Sequence, residues 1–292
     1  MARLPTLLTL MRPANLVTAV ADILAGASVA AAVTGGWDDN VSYLALATIG
    51  LYGGGVVFND VFDVDLDRIE RPERALPSGE VTLSEAVLLG GLLLLGGIAF
   101  SLVVSQSSGA IALAIAVLAL VYDARAKHHP LLGPLVMGMC RGGNLLLGIS
   151  LSTAALASYW WLGFLPVVFI AAITLTSRGE VGGQNRGSIR LALGLDMLVA
   201  TTLVVITQFT RASFLHLLPF FLLWFGMNVR AKLAAIADNR PELIRTAVKT
   251  GVLSLIPLNA CLAAGFMGLG TGVQVLLLLP ASLFLARFFA VT

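Results

Sequence analysis

A chain of 292 residues in which 58% are hydrophobic and only 12% charged, with a mean hydropathy of +0.93, cannot be an ordinary soluble domain. Its formal net charge of +2 points to no nucleic-acid partner, and the basic residues read instead as a topology signal and a contact for anionic headgroups. What remains is a polytopic protein whose solvent is the lipid bilayer.

Apolar runs long enough to cross a hydrocarbon core of about 30 Å recur along the whole chain. They fall near 14–33, 41–61, 83–104, 108–124, 131–153, 158–176, 190–208, 213–230, 246–267 and 271–289. The last two are separated by a few Gly-rich residues, so one of them is expected to insert only partly, and nine spans is the alternative to ten. Of the 18 Lys and Arg residues, 16 fall on the side that holds the N-terminus, leaving Arg211 opposite and Arg141 within a span. The positive-inside rule therefore predicts cytoplasmic termini. No short hydrophobic region ends in a small-residue cleavage site, so the N-terminus reads as a first span. Cys140 and Cys261 both fall inside spans, as packing residues.

In the first span Pro13 suits an opening helical turn. Asn15 and Asp22 lie seven residues apart and share a face. A carboxylate at that depth costs about 2.5–3.5 kcal/mol unless it is paired or faces water, so the shared face should line a cavity. The second span carries Gly53, Gly54 and Gly55, which allow close helix packing or a bend. It runs into Phe58–Glu80, the densest cluster of charge in the chain. If one helix continues from Tyr52 to Arg68, then Asn59, Asp60, Asp63 and Asp67 fall within about 100° of one another, and Asp65 points away. Three carboxylates and an amide on one face repel unless a cation sits among them, and oxygen-only ligands favour Mg²⁺. Arg68, Arg71 and Arg74 follow at once and suit phosphate oxygens. The pairing suggests a Mg²⁺–diphosphate site; the bland alternative is a polar loop capping two helices.

Thr82 or Ser84 can cap the third span, which pairs with the fourth across a minimal turn at Gln106–Ser108. The fourth ends at Tyr122-Asp123-Ala124-Arg125-Ala126-Lys127. His128 and His129 are adjacent, so they cannot share a helical face as metal ligands, and they read as loop residues. In the fifth span Arg141 lies near the midplane, where an unpaired guanidinium is costly. Asp22 and Asp196 are its candidate partners, Asn144 shares its face, and Gly142 and Gly143 leave room for a helix or a substrate. The loop after the sixth span holds Ser177, Arg178, Glu180 and Arg186.

The combination Asn59-Asp60-x-x-Asp63-x-x-x-Asp67 with Arg74-x-x-Pro77-Ser78-Gly79 resembles the first aspartate-rich motif of the UbiA superfamily of intramembrane prenyltransferases. Arg12-Pro13-x-Asn15 is similar to that family's first helix, where the Asn lines the active site. Tyr122 and Lys127 resemble its diphosphate-holding Tyr and Lys, and Arg141-Gly142-x-Asn144 resembles the EboC-like branch. The family's second aspartate motif is degenerate here, with Ser177 and Glu180 in place of paired Asp residues.

The resemblance implies an all-α bundle of nine or ten transmembrane helices around a central cavity open to the cytoplasmic side. It further implies prenyl transfer from an allylic prenyl diphosphate to an aromatic or other electron-rich small-molecule acceptor. Asn59, Asp60, Asp63 and Asp67 are then expected to hold Mg²⁺, with Glu180 the one carboxylate left for a second ion. Arg68, Arg74, Tyr122, Lys127 and Arg178 are expected on the diphosphate, with Asp60, Asp63, Asp67 and Lys127 as the catalytic set. Asn15, Asp22, Arg141, Asn144 and Asp196 are expected along the cavity or at the acceptor. A non-enzymatic carrier of a prenylated or aromatic precursor is the alternative. A membrane alcohol phosphotransferase lacks its Asp-Gly-x-x-Ala-Arg continuation here.

Overall fold

The computed structural model describes residues 4–178 and 183–289, and every regular element among them is a helix. In chain order these are α1 (Leu4–Leu10), α2 (Pro13–Thr34), α3 (Val41–Phe62), α4 (Val64–Glu70), α5 (Leu83–Val104), α6 (Gln106–Ala124) and α7 (Leu132–Ile149), then α8 (Thr153–Tyr159), α9 (Phe164–Ser177), α10 (Arg186–Phe209), α11 (Phe214–Ala237), α12 (Pro241–Leu253), α13 (Leu255–Met267), α14 (Leu269–Leu276) and α15 (Leu278–Leu285). In bilayer interiors the backbone must satisfy itself, and helices do so locally.

Local chemistry sets the boundaries. Pro13 opens α2, and Gly35, at φ 86°, closes it with its N–H on the Ala31 carbonyl. Thr82 and Glu85 form a capping box at the start of α5. The turn between α5 and α6 is tighter than Gln106–Ser108: Ser105 alone separates the helices, its hydroxyl accepting the Ser108 N–H at 3.0 Å. Two spans are broken by proline. Pro257 and Pro280 cannot donate to the carbonyls of Leu253 and Leu276, and α12 and α14 end at those residues.

Nine helical stretches among the described residues are long and apolar enough to cross a membrane, the last being Pro241–Met267. The expected tenth, 271–289, is present as the shorter pair α14–α15, Leu269–Leu285. At about 1.5 Å per residue it falls a few ångströms short of a typical hydrocarbon core. It nevertheless returns to the side where α2 begins, since the Ser282 hydroxyl donates to the Ala14 carbonyl at 2.8 Å.

Glycine determines which helices touch. A Cβ on Gly26 would lie 2.3 Å from the Leu145 carbonyl oxygen, and one on Gly148 would lie 2.4 Å from that of Ile23, so α2 and α7 meet backbone to backbone. The main core joins Leu145, Phe169, Leu203, Trp224 and Ile256 from α7, α9, α10, α11 and α13, with α13 buried from Leu255 to Phe266. Gly142, left open between helix and substrate, serves a helix: its missing Cβ leaves room for the Gly163 carbonyl oxygen at 2.4 Å.

Candidate active site

Enclosed by α2, α3, α6, α7, α9, α12 and α13 is a cavity of about 380 Å³. One end is polar and lies where helices terminate: Arg12 before α2, Asn59 late in α3, Tyr122 and Asp123 at the end of α6, Ser177 at the end of α9. Its walls are mainly aliphatic, including Leu51, Ile115, Ile173 and Val252.

The first motif builds that polar end, though not as one uninterrupted helix. The α-helix stops at Phe62, Asp63 takes φ −92° and ψ 3°, and α4 resumes at Val64. The backbone bonds from Asp63 N–H to Asn59 and from Asp67 N–H to Asp63 continue the helical i→i−4 pattern across the break. The four donors are each engaged by another side chain, and Asp60 and Asp67 share Arg74. Asp60 accepts from Arg12 at 2.8 Å and from Arg74 at 3.3 Å. Asp67 accepts from Arg74 at 2.7 Å, Asp63 from Lys127 at 2.6 Å, and Asn59 Nδ2 donates to Asp123 Oδ1 at 3.0 Å. Among the described residues no three His, Cys, Asp or Glu side chains converge as a metal site. The expectation of one merged ligand stack thus gives way to a chain of ion pairs in which Arg12, Arg74 and Lys127 hold the carboxylates. The donor chemistry still suits a hard ion: every donor is a carboxylate or amide oxygen, with Asn59 lining the cavity and Asp60 paired to Arg12, which lines it too.

Arg68 does not join this cluster. Like Asp65, its partner at 2.7 Å, it lies on the outward face, and its side chain is 64% exposed. Arg178 donates to the Pro130 carbonyl oxygen and so ties the end of α9 to the segment after Lys127. In that segment His129 Nδ1 accepts the Leu131 and Leu132 N–H groups, a capping role and not a metal one. Glu180 lies outside the described residues.

Sequence reasoning missed two members of the polar end. Arg12 reads as a topology residue, and its partner Asp60 is 48 positions away. It holds a left-handed backbone, φ 48°, which costs a non-glycine residue roughly 1–2 kcal/mol. Asp123 reads as a neighbour of Tyr122, yet it lines the cavity, and among the described residues it has no ion-pair partner.

Deeper in the cavity is a second polar group. Thr48 precedes Asn59 by eleven residues on α3, roughly 16 Å along the axis. Arg141 Nη1 donates to Asp22 Oδ2 at 2.9 Å, and Nη2 donates to Thr18 at 2.5 Å. Asn144 Nδ2 donates to Asp22 at 3.0 Å and to the Ala19 carbonyl at 2.8 Å, while its Oδ1 accepts from Thr48 at 2.6 Å. Asn259 Nδ2 completes the carboxylate's shell at 2.6 Å. The guanidinium also sits 5.3 Å from the Tyr52 ring centroid. Asp22 is therefore the partner that Arg141 needs, and Arg141, Asn144 and Asn15 line the cavity. Asp196 is not part of it. It pairs with Lys232 at 2.5 Å between α10 and α11, fully enclosed among Phe169 and its neighbours.

Comparison with known proteins gives this arrangement a context. The UbiA prenyltransferase family model matches residues 19–237. A digeranylgeranylglyceryl phosphate synthase of Methanoculleus marisnigri is 31% identical over 231 residues, which cover 77% of this chain and 80% of that one. Among solved structures, the apo form of a UbiA homolog from Aeropyrum pernix K1 has a TM-score of 0.68 at 15% identity, over 90% of this chain and 98% of the other. A UbiA homolog from Archaeoglobus fulgidus bound to GPP and Mg²⁺ has a TM-score of 0.62 at 14% identity, over 92% and 99%. At such identities these structures speak for the fold, while the family model and the relative speak for descent. On that footing, this integral, multi-pass membrane chain belongs to the UbiA prenyltransferase family.

Proposed function

We propose that the chain transfers a prenyl group from an allylic prenyl diphosphate to an electron-rich small-molecule acceptor within the membrane. The observation that carries this reading is the cavity itself: aliphatic along its walls, with acidic and basic side chains collected at one rim. An isoprenoid tail suits the former and a diphosphate the latter. The A. fulgidus neighbour, bound to GPP and Mg²⁺, supports the same ligand pair here.

In this reading Asn59, Asp60, Asp63 and Asp67 hold Mg²⁺. When bound, the ion supplies positive charge to the leaving diphosphate oxygens. Arg74 and Lys127 leave their carboxylates for phosphate oxygens, Arg12 acts beside them, and Tyr122 adds a hydrogen bond. Such exchange costs little, because each carboxylate trades one cation for another. Arg178 steadies the neighbouring segment. The aliphatic walls exclude water from the allylic cation, so that the acceptor and not solvent captures it. The acceptor occupies the deeper part of the cavity near Arg141 and Asn144, with Asn15 lining the cavity in the first turn of α2, nearer the rim. The polar rim faces the cytoplasm in this reading, which the distribution of basic residues supports.

Calorimetric titration of purified protein with geranyl diphosphate, with and without Mg²⁺, tests the reading. Binding should depend on Mg²⁺, and Asp63→Asn should weaken it by roughly ten- to a hundredfold through loss of one charged ligand. Lys127→Met should act in the same direction. If geranyl diphosphate binds the parent and Asp63→Asn equally well, or does not bind at all, the Asp63-centred site is wrong and a carrier function takes its place.

A further inference from the structure

The ion pair at the deep end of the cavity bears on the acceptor, granted the prenyl-transfer reading. Arg141 presents to the cavity a guanidinium that is already neutralised from behind: Asp22, 2.9 Å away, has a fully enclosed side chain and is not among the cavity-lining residues. Guanidinium has five N–H donors, and among the described residues Arg141's bonds to protein oxygens are the two to Asp22 and Thr18. Beside it in the cavity are the Tyr52 ring and the Thr48 hydroxyl, whose hydrogen is committed to Asn144 Oδ1, leaving its oxygen to accept. This end therefore offers hydrogen-bond donors and hydroxyl acceptors but no net charge.

A carboxylate or phosphate placed there would sit in low dielectric as a second anion against a single cation, with Asp22 repelling it. A carbonyl or hydroxyl oxygen would gain the hydrogen bonds without that cost. We infer that the deep end of the cavity selects an acceptor that meets it with an uncharged oxygen, and that Arg141, Tyr52 and Thr48 are the specificity-determining residues. This differs from what a phosphate-bearing ligand, such as the one named in the M. marisnigri relative, would ask of the same position.

The test uses the full chain in lipid nanodiscs, saturated with Mg²⁺ and the slowly ionising analogue geranyl S-thiolodiphosphate. Two probes of nearly equal shape, 4-hydroxybenzamide and 4-hydroxybenzoate, are titrated calorimetrically. The neutral amide should bind at least about tenfold more tightly, the size of a single unmatched interaction. Asp22→Asn exposes the guanidinium charge and should swing the preference toward the benzoate by about tenfold or more. A purely structural role for Asp22 would weaken both probes alike. Tyr52→Leu and Thr48→Val leave the ion pair intact and should weaken amide binding by about tenfold while analogue affinity holds, so the inference stays testable if Asp22→Asn does not fold. Benzoate binding the parent as tightly as the amide overturns the inference. So does an amide affinity indifferent to Tyr52 and Thr48, or failure of both probes to bind a parent that holds the analogue. Failure of the analogue to bind the parent is a different result, and it sinks the prenyl-transfer reading itself.

Discussion

Asp196 and Lys232 have side chains 0% and 1% exposed, and they are held together at 2.5 Å inside the bundle. Removing one partner from such a pair strands a charge in a medium that cannot solvate it, at a cost of about 3–5 kcal/mol, whereas replacing both can be neutral. Lys232→Met should therefore lower the melting temperature in detergent sharply, and Asp196→Leu/Lys232→Met should regain most of the loss. A double variant that loses the sum of the two single losses would mean that the two residues act independently. The pair also marks the limit of what residue patterns disclose. An Arg in mid-span demands a carboxylate, and Asp22 could be named because few spans contain one. Lys232 could not be assigned to Asp196, because the hydropathy run fades near Arg230 while α11 continues to Ala237. Arg12 escaped for a similar reason: a basic residue at a membrane boundary has an ordinary explanation, and its bond to Asp60 spans 48 positions.

At the scale of elements, small residues decide how closely helices approach. The α2–α7 crossing brings Asp22 and Arg141 into register, and it depends on Gly26 and Gly148, whose absent Cβ atoms would lie 2.3 and 2.4 Å from facing carbonyl oxygens. Gly148→Ala must push the helices apart, because backbone cannot rotate away as a side chain can. The expected loss is about 1–3 kcal/mol by thermal melting, with weaker acceptor-side binding than the stability loss alone explains. Gly91 on α5 has nothing within 4 Å of its would-be Cβ, so Gly91→Ala should leave both unchanged. If the two variants behave alike, close backbone approach is not what sets the Asp22–Arg141 geometry. The spans themselves were legible from hydropathy, and a cap at Thr82 or Ser84 from local chemistry, which the structure resolves to Thr82 in a box with Glu85. The helix break at Asp63 was not, since nothing in the spacing of Asn59, Asp63 and Asp67 forbids a continuous helix; the residue at the break also carries a tertiary ion pair, with Lys127 64 positions away, that no local pattern announces.

For the whole molecule, the number of crossings and the side of each loop are one question. Nine full-length spans alone would leave the chain's end opposite its start, and the short α14–α15 pair reverses that by bringing Ser282 to Ala14. The basic residues argue in the same direction, since Arg287 joins the side that carries 15 of the other 17 Lys and Arg residues only if the tenth segment crosses. Single cysteines introduced at exposed positions separate the possibilities: Asp39→Cys in the short loop after α2, Ser78→Cys after the aspartate motif, and Arg287→Cys beyond α15. With a membrane-impermeant maleimide applied to intact cells, Asp39→Cys should label, while Ser78→Cys and Arg287→Cys should label only after permeabilisation. Cys261 is buried and should contribute little background, while Cys140 is half-buried and lines the cavity, so the cysteines are introduced into a Cys140→Ala background. Labelling of Ser78→Cys from outside would invert the proposed orientation and put the diphosphate site on the wrong side. Labelling of Arg287→Cys together with Asp39→Cys would mean that the tenth segment does not cross, and the contact between Ser282 and the entrance of α2 could not form in the membrane.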